Sequence, residues 1–118
     1  MNIEIMEFAE GARNARGLTV IIDVFRAFSV ECYAYDSGAV KIIATGSTEE
    51  AFRLGRKYTN SLLVGERNEK KVDGFDLGNS PTEILQADLK GRIVIHSTTA
   101  GTNGLINAVN SDIVITGS

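Results

Sequence analysis

Residues 18–23 read Leu-Thr-Val-Ile-Ile-Asp, a nearly unbroken apolar run that ends on a carboxylate. An amphipathic stretch over residues 25–36 follows, and a second apolar run over residues 40–44 comes after the Ser37-Gly38 pair. Apolar runs without strict alternation are typical of strands that are covered on both faces. The longer stretch between them predicts a helix, so the segment 18–44 predicts a β-α-β unit with two parallel strands.

The same alternation of short apolar runs and longer amphipathic stretches continues along the sequence. It predicts further strands over residues 61–64, 92–96 and 112–116, and further helices over residues 48–58, 81–87 and 102–109. The helix at Pro81 has the clearest start, because Ser80 can cap it, proline fits its first position and Glu83 can complete a capping box. We therefore predict one α/β domain over residues 1–118, with a largely parallel sheet and helices on its faces.

The two ends of the sequence depart from this pattern. Residues 3–8 alternate apolar and acidic side chains, which predicts a strand with one solvated face. Only the polar segment 11–17 separates it from the next strand, too short for a helical crossover, so we expect an antiparallel edge strand. At the other end, Thr116-Gly117-Ser118 follows a strand-like run and has the character of a loop that enters another element. We expect the sequence to be the N-terminal portion of a larger fold.

Composition narrows the class of protein. The sequence has 118 residues, 43% of them hydrophobic and 23% charged, as is typical of one soluble globular domain. Its net charge of −3 provides no basic surface for nucleic acid or an anionic membrane, and its apolar runs are too short to span a bilayer. The acidic N-terminus lacks the basic region of a signal peptide. A single cysteine, Cys32, precludes an intrachain disulfide, and we expect a cytoplasmic location.

Three polar segments directly follow predicted strands. Asp23 ends the strand over residues 18–23, Gly65-Glu66-Arg67-Asn68 follows the strand over residues 61–64, and residues 97–102 follow the strand that ends at His96. In open parallel sheets, ligands bind beyond the carboxyl ends of the strands. If these strands are parallel neighbours, the three segments meet at one edge of the sheet and form a candidate site.

Each of these segments has a functional and a structural interpretation. Asp23 can hold a hard cation such as Mg²⁺, or it can cap the following helix. Arg67 presents a planar fork that matches phosphate or sulfonate oxygens, or it forms a solvated charge pair with Glu66 in a turn. The small and hydroxyl residues over 97–104 form an anion site from backbone amides, or a plain helix-capping loop.

Other polar positions leave the same choice open. Asp76 and Asn79 can contact a metal or a phosphate, whereas Ser80-Pro81 supports a capped turn over the same residues. His96, the only histidine, favours a structural hydrogen-bonding role because it ends a strand. Cys32 falls within a predicted helix and is expected to be a small buried hydrophobe.

Four motifs resemble the 2-phosphosulfolactate phosphatase family. They are similar to its hydrophobic-Asp-Val-x-Arg-Ala, Gly-Glu-Arg, Gly-Phe-Asp-Leu-Gly-Asn-Ser-Pro-x-Glu and Thr-Thr-Asn-Gly-Thr motifs. Here they read Ile21-Ile22-Asp23-Val24-Phe25-Arg26-Ala27, Gly65-Glu66-Arg67, Gly74 to Pro81 with Glu83, and Thr98-Thr99-Ala100-Gly101-Thr102. The motifs occur in the family's order and cover most of residues 18–118, and the block over residues 74–81 is the most specific of them.

The resemblance implies a three-layer α/β/α phosphatase. Its activity would be the magnesium-dependent hydrolysis of 2-phosphosulfolactate, or a similar small phosphorylated hydroxy acid, a step toward coenzyme M. Matched by motif position, the implied catalytic residues are Asp23, Arg26, Glu66 and Arg67. The implied substrate-binding residues are Asn79, Ser80, Thr98, Thr99 and Gly101, and the implied magnesium ligands are Asp23, Glu66 and Asp76.

Two positions depart from the family's pattern. Ala100 stands where Asn is usual and Phe28 where a small hydroxyl residue is common, and both changes bear on the choice of substrate. Family members are also longer, so we expect this chain alone to lack part of the active site and to be inactive. The alternatives are a non-catalytic anion-binding domain on the same scaffold, and a structural unit that pairs with another chain, for instance as a homodimer.

Overall fold

Helices and strands alternate along most of the chain, and the computed structural model describes all 118 residues. The helices are α1 (Phe8–Asn14), α2 (Ala27–Asp36), α3 (Thr48–Lys57), α4 (Pro81–Gln86) and α5 (Gly101–Asn107). The strands are β1 (Leu18–Ile22), β2 (Lys41–Thr45), β3 (Ser61–Arg67), β4 (Lys70–Lys71), β5 (Ile93–Ser97) and β6 (Ile113–Gly117). Apart from α1 and β4, each element overlaps a predicted one, with ends shifted by a few residues.

The strands form two sheets. The larger has the order β2-β5-β3-β4, in which β2, β5 and β3 are parallel and β4 pairs antiparallel with the end of β3. The smaller consists of β1 and β6, which pair in parallel from Leu18↔Ile113 to Ile22↔Gly117. Because parallel strands need crossover connections, α3 lies between β2 and β3, and the segment that leads from β3 to β5 contains α4. The prediction of a largely parallel sheet is confirmed.

The larger sheet lies between two helical layers. Alternate residues of its strands point to opposite faces, so Val64 and Val94 pack with Val30 of α2 and Ile84 of α4. On the other face, the buried residues Leu63 and Ile95 pack with α3 and with the ring of Phe75. Burial on both faces is the reason that these strands lack an alternating sequence pattern. The three-layer α/β/α arrangement is therefore confirmed.

The predicted strand over residues 3–8 is wrong. Residues 1–7 belong to no strand or helix, and α1 occupies part of the segment that was predicted to be a loop. Ile3 and Ile5 are exposed, so no sheet covers the apolar side of this segment. A strand needs a partner for its backbone hydrogen bonds, and no strand of the structure pairs with these residues.

Cys32 also differs from its prediction, because it is exposed on α2. The buried positions of that helix are Ala27, Phe28, Val30 and Ala34, which share the face that packs on the sheet. Position 32 falls outside this face, so helical periodicity rather than residue type decides its environment.

A cavity separates the two sheets. It has a volume of ≈ 530 Å³ and is lined mainly by apolar side chains of α2, β2, α5 and β6. Residues of β2 and β6 both line it, and these two strands do not pair with each other. None of the five helices is long and apolar enough to cross a bilayer.

Candidate active site

A polar cleft lies beyond the carboxyl ends of β3 and β5, where the sequence predicted a site. Its volume is ≈ 530 Å³, and it is lined by Phe25, Arg26, Glu66, Asn68, Glu69, Asn79, Thr99 and Ala100. Four of the predicted site residues therefore share one cleft, namely Arg26, Glu66, Asn79 and Thr99. The other four lining residues come from the loops that follow β1, β3 and β5.

Glu66 joins two of the segments that line this cleft. Its Oε1 accepts a hydrogen bond from the Thr99 amide at 2.6 Å, and its Oε2 accepts from the Thr99 hydroxyl at 3.0 Å and from the Glu69 amide at 2.8 Å. Burial by itself raises the pKa of Glu66, but these three bonds and the nearby Arg67 outweigh it and hold the pKa below its ordinary value of 4.5. Glu66 is therefore an ionised anchor between the loops after β3 and β5.

The close approach of these loops depends on Gly65. This residue has a φ of +150°, and a Cβ atom added to it would overlap the carbonyl oxygen of Ser97 on β5. Only glycine adopts this conformation and leaves the space free. The hydrogen bonds from Thr99 to Glu66 therefore depend on glycine, which has no side chain, at position 65.

The two predicted arginines have different environments. Arg67 donates from Nη2 to Ser97 Oγ at 2.7 Å and from Nη1 to its own neighbour's carbonyl oxygen, Glu66 O, at 2.7 Å. Arg26 is exposed and lines the cleft, and its side chain makes no hydrogen bond or ion pair within the protein. The guanidinium that remains available to an anion in the cleft is therefore that of Arg26.

The segment over residues 74–81 explains the positions of Asp76 and Asn79. It runs beside β3, where the amides of Asp76 and Leu77 donate to Leu63 O and Gly65 N–H donates to Leu77 O. The carboxylate of Asp76 accepts the Leu63 amide at 2.8 Å and so braces the middle of β3. Three residues further on, Asn79 reaches the cleft at the end of the strand.

Ser80 has the structural role that its sequence context also predicted. Its hydroxyl accepts a hydrogen bond from Glu83 N and caps α4, whose first residue is Pro81. The capping box is incomplete, because the carboxylate of Glu83 accepts the amide of Gly78 instead. Ser80 does not line the cleft.

The loop after β5 is closed mainly by its own threonines. Thr98 N donates to Thr102 Oγ1 at 2.7 Å and Thr102 N donates to Thr98 Oγ1 at 3.1 Å, and both residues are buried. Thr98, predicted to bind substrate, therefore bonds the first turn of α5 and does not line the cleft. The Ala100 amide makes no hydrogen bond within the protein, and Ala100 lines the cleft.

Asp23 lies beside the cleft, against the start of α5. A Cβ atom on Gly101 would lie 2.6 Å from Asp23 Oδ2 and 2.5 Å from Ala27 Cβ, so glycine is what admits the carboxylate here. Asp23 does not cap α2, whose N-cap residue is Arg26 with no side-chain bond. Its carboxylate accepts no hydrogen bond from the protein and is free for a ligand.

The three carboxylates predicted as magnesium ligands do not form one cluster. No group of three or more His, Cys, Asp or Glu side chains is arranged to hold a metal ion. Magnesium, however, commonly takes only one or two protein carboxylates and completes its shell with waters and phosphate oxygens. The free carboxylate of Asp23 fits that requirement, whereas those of Glu66 and Asp76 already accept backbone amides.

Sequence reasoning missed Glu69, and it included Asn68 only as part of the segment that follows the strand over residues 61–64. Asn68 and Glu69 form the two-residue turn between β3 and β4, with φ values of 50° and 67°, and both line the cleft. Turn residues directly after a strand were the available signal for this hairpin. His96 lies behind the cleft, fully buried, with its two ring nitrogens bonded to Glu31 and Asn79. No sequence pattern connects these three positions, because they come together only in the fold.

Comparison with known proteins assigns the family. A family model described as 2-phosphosulpholactate phosphatase matches residues 4–118. The chain belongs to the 2-phosphosulfolactate phosphatase family. The match covers all four motifs, and the cleft described above is formed by residues from each of them.

Three relatives from the same family are longer than this chain. Each is named a probable 2-phosphosulfolactate phosphatase. The one from Carboxydothermus hydrogenoformans is 43% identical over all of this chain and 49% of its own length. The one from Clostridium beijerinckii is 36% identical over all of this chain and 52% of its own length. The one from Bacillus subtilis is 35% identical over 80% of this chain and 41% of its own. The chain thus spans about half the length of these relatives.

Proposed function

We propose that this chain supplies the phosphate-binding half of a magnesium-dependent phosphatase that acts on 2-phosphosulfolactate or a similar small phosphorylated hydroxy acid. One observation carries the proposal: the same cleft is lined by the guanidinium of Arg26, which has no partner in the protein, and by the fixed, ionised carboxylate of Glu66. The names of the relatives support the same class of reaction.

Arg26 binds the anion in this proposal. A guanidinium offers a planar fork that matches two oxygens of a phosphate or a sulfonate, and Arg26 has no competing partner in the protein. The Ala100 amide, also without a protein partner, donates from the opposite loop. A substrate with a phosphate and a second anionic group would be oriented by these donors from two sides.

Glu66 keeps the two loops in register. Its depressed pKa leaves it ionised at neutral pH, so it does not act as a proton donor to the leaving group. It holds the Thr99 and Glu69 amides in fixed positions instead. This fixed arrangement avoids reorganisation when charge develops on the substrate.

Asp23 is the residue that would hold magnesium. The bound ion would supply charge neutralisation at the phosphoryl oxygens. Asp23 is suited to this because its carboxylate is free of protein hydrogen bonds and lies beside the cleft. The second candidate function is a non-catalytic anion-binding domain. The Glu66 carboxylate favours it, because this carboxylate already accepts three hydrogen bonds from the protein.

The deciding experiment is a chimera in which this chain replaces the matching half of the Carboxydothermus hydrogenoformans relative. We expect phosphate release from 2-phosphosulfolactate that requires Mg²⁺ and that falls on the order of a hundredfold in Asp23→Asn, as for loss of a charged group at a metal site. Asp36→Asn, an exposed carboxylate at the end of α2, is the matched control and should be unaffected. Tight phosphate binding without turnover across a panel of phosphomonoesters would instead support the anion-binding domain.

A further inference from the structure

A buried chain of hydrogen bonds leads from α2 to the cleft. Glu31 Oε1 lies 2.9 Å from His96 Nδ1, and His96 Nε2 lies 3.1 Å from Asn79 Oδ1. The His96 side chain is 0% exposed and that of Glu31 is 13% exposed. The ring is therefore shielded from solvent and has these two partners in place of water.

Both partners of the ring are acceptor oxygens. In the structure, Nδ1 faces the Glu31 carboxylate, which can only accept a hydrogen bond, and Nε2 faces the Asn79 oxygen. With Oδ1 of Asn79 turned toward the ring, its Nδ2 amide group points away from the ring and makes no hydrogen bond within the protein. No buried side-chain nitrogen or oxygen lacks a partner, so this Nδ2 must be reached by solvent.

The accessible side of Asn79 is the cleft, because Asn79 lines it. We propose that the Glu31–His96 pair is a positioning device that turns the Asn79 amide so that its two N–H donors face the cleft and bind an oxyanion there. This inference rests on the proposed function for the identity of the ligand. His96 and Glu31 do not touch the ligand themselves; they act through Asn79.

Without the pair, the amide of Asn79 has no fixed direction. A neutral amide at position 31 can donate to the ring or accept from it, so the ring could bond either end of the Asn79 amide. The Asn79 oxygen would then face the cleft part of the time and repel an anion. This is the general effect of an outer hydrogen bond that sets the orientation of a binding group. The orienting role therefore predicts weaker anion binding when Glu31 is neutralised, even though Glu31 is remote from the ligand.

A double-mutant cycle on the 118-residue chain tests this role, with inorganic phosphate as the probe in calorimetry. We expect Glu31→Gln to weaken phosphate binding at least about threefold in the wild-type background and by less than about 1.5-fold in the Asn79→Ala background, because residues that act through one group are not additive. Glu50→Gln, whose carboxylate bonds Arg53 on the exposed side of α3, is the matched control and should have no effect in either background. Equal weakening by Glu31→Gln in both backgrounds would overturn the inference and assign Glu31 a purely structural role.

A second readout needs no ligand. In NMR spectra of the free chain, Glu31→Gln and His96→Gln should each shift the Asn79 side-chain amide signals, and Glu50→Gln should leave them unchanged. If His96→Gln does not fold, the Glu31→Gln comparison decides alone. Unchanged Asn79 signals overturn the inference. A wild-type chain that shows this coupling but binds no phosphate contradicts the proposed function and leaves the orientation of Asn79 established.

Discussion

Substitution of the two arginines at this edge of the sheet is predicted to have different effects, on phosphate binding for Arg26 and on stability for Arg67. Arg67 is engaged by Ser97 and by a backbone oxygen, whereas Arg26 is exposed in the cleft without a partner. Replacement by lysine keeps the charge and removes the planar fork. We expect Arg26→Lys to weaken phosphate binding by on the order of tenfold, about 1.4 kcal/mol, with no change in the free energy of unfolding. Arg67→Lys should instead lower the free energy of unfolding by about 1 kcal/mol, because it loses bonds within the protein.

Calorimetry with phosphate and denaturant unfolding separate these two outcomes. Arg56→Lys, an exposed arginine on α3 without a hydrogen bond, serves as the control for both measurements. Weaker phosphate binding in Arg67→Lys together with unchanged binding in Arg26→Lys would exchange the roles given to the two residues.

Glu66 gives the protein a predicted acid-sensitive component of stability. Its folded-state pKa lies below the ordinary value of 4.5, so ionised Glu66 stabilises the fold fully above that value. The contribution is lost as the pH falls from about 4.5 through the lower folded-state pKa. We expect Glu66→Gln to reduce the free energy of unfolding by about 2 kcal/mol at pH 7, because its bonds involve a charged acceptor. Denaturant unfolding at a series of pH values should show this difference shrinking below pH 4.5. A difference that is constant with pH would contradict the assignment.

The sequence predicted those site residues that stand at the ends of apolar strands. Glu66 and Thr99 follow apolar strands, and their meeting in one cleft agrees with the rule for parallel sheets. The division of labour between Arg26 and Arg67 was not predictable, because it depends on Ser97 lying within reach of only one of them. A structural hydrogen-bonding role was predicted for His96, but its partners were not, since both lie far from it in sequence.

At the scale of elements, the segment over residues 74–81 behaves as an additional edge of the sheet. The Asp76 carboxylate accepts the Leu63 amide, which would otherwise lie at the edge of β3 without this partner. We expect Asp76→Ala to lower the free energy of unfolding by about 1–2 kcal/mol, the typical effect of removing a hydrogen bond to a charged group at a partly exposed site.

The neighbouring Asp73 provides the comparison for Asp76. It is exposed and its carboxylate has no hydrogen bond, so Asp73→Ala should leave the unfolding free energy within about 0.5 kcal/mol of wild type. Both values come from denaturant unfolding under the same conditions. Equal values for the two variants would show that the Asp76–Leu63 bond contributes nothing measurable.

Elements were predictable where an apolar run had a buried partner on both sides. The parallel strands and the helices between them therefore agree with the sequence pattern, within a few residues at each end. Residues 3–8 carry a strand-like pattern, but a pattern cannot supply the partner strand that the backbone requires. The short strand β4 was missed for the opposite reason, since two exposed lysines pair with β3 only because the turn before them directs them there.

For the whole molecule, the most prominent surface feature is a bare face on the β1–β6 sheet. Its outward side chains are Leu18, Val20, Ile22, Ile113 and Ile115, which the register places side by side, and Leu18 and Ile22 are 66% and 70% exposed. Contiguous apolar surface of this kind promotes association or dye binding. We expect the chain to bind a fluorescent hydrophobic dye and to self-associate at high concentration in sedimentation experiments.

Replacement of Ile22 by lysine tests the origin of this behaviour. A charge in the middle of the patch should reduce both dye fluorescence and self-association severalfold. Leu85→Lys is the control, because Leu85 is 58% exposed but stands on α4, away from the patch. An equal reduction in both variants would show that general hydrophobicity, not this face, is responsible.

Because the two sheets are separate, the two sides of the cleft are expected to open locally at different rates. Glu66 lies near the end of β3 and Thr99 follows β5, the strand of the larger sheet that is paired on both edges. Asp23 follows β1, which has one partner strand and a bare face. Amide hydrogens in weakly covered elements exchange with solvent through local opening at low free energy. Hydrogen–deuterium exchange should therefore be slowest at Val94 and Ile95 and much faster along β1 and β6. A ligand that contacts both Asp23 and Glu66 would slow hydrogen exchange in β1 most, since it would link this rapidly exchanging strand to the slowly exchanging larger sheet.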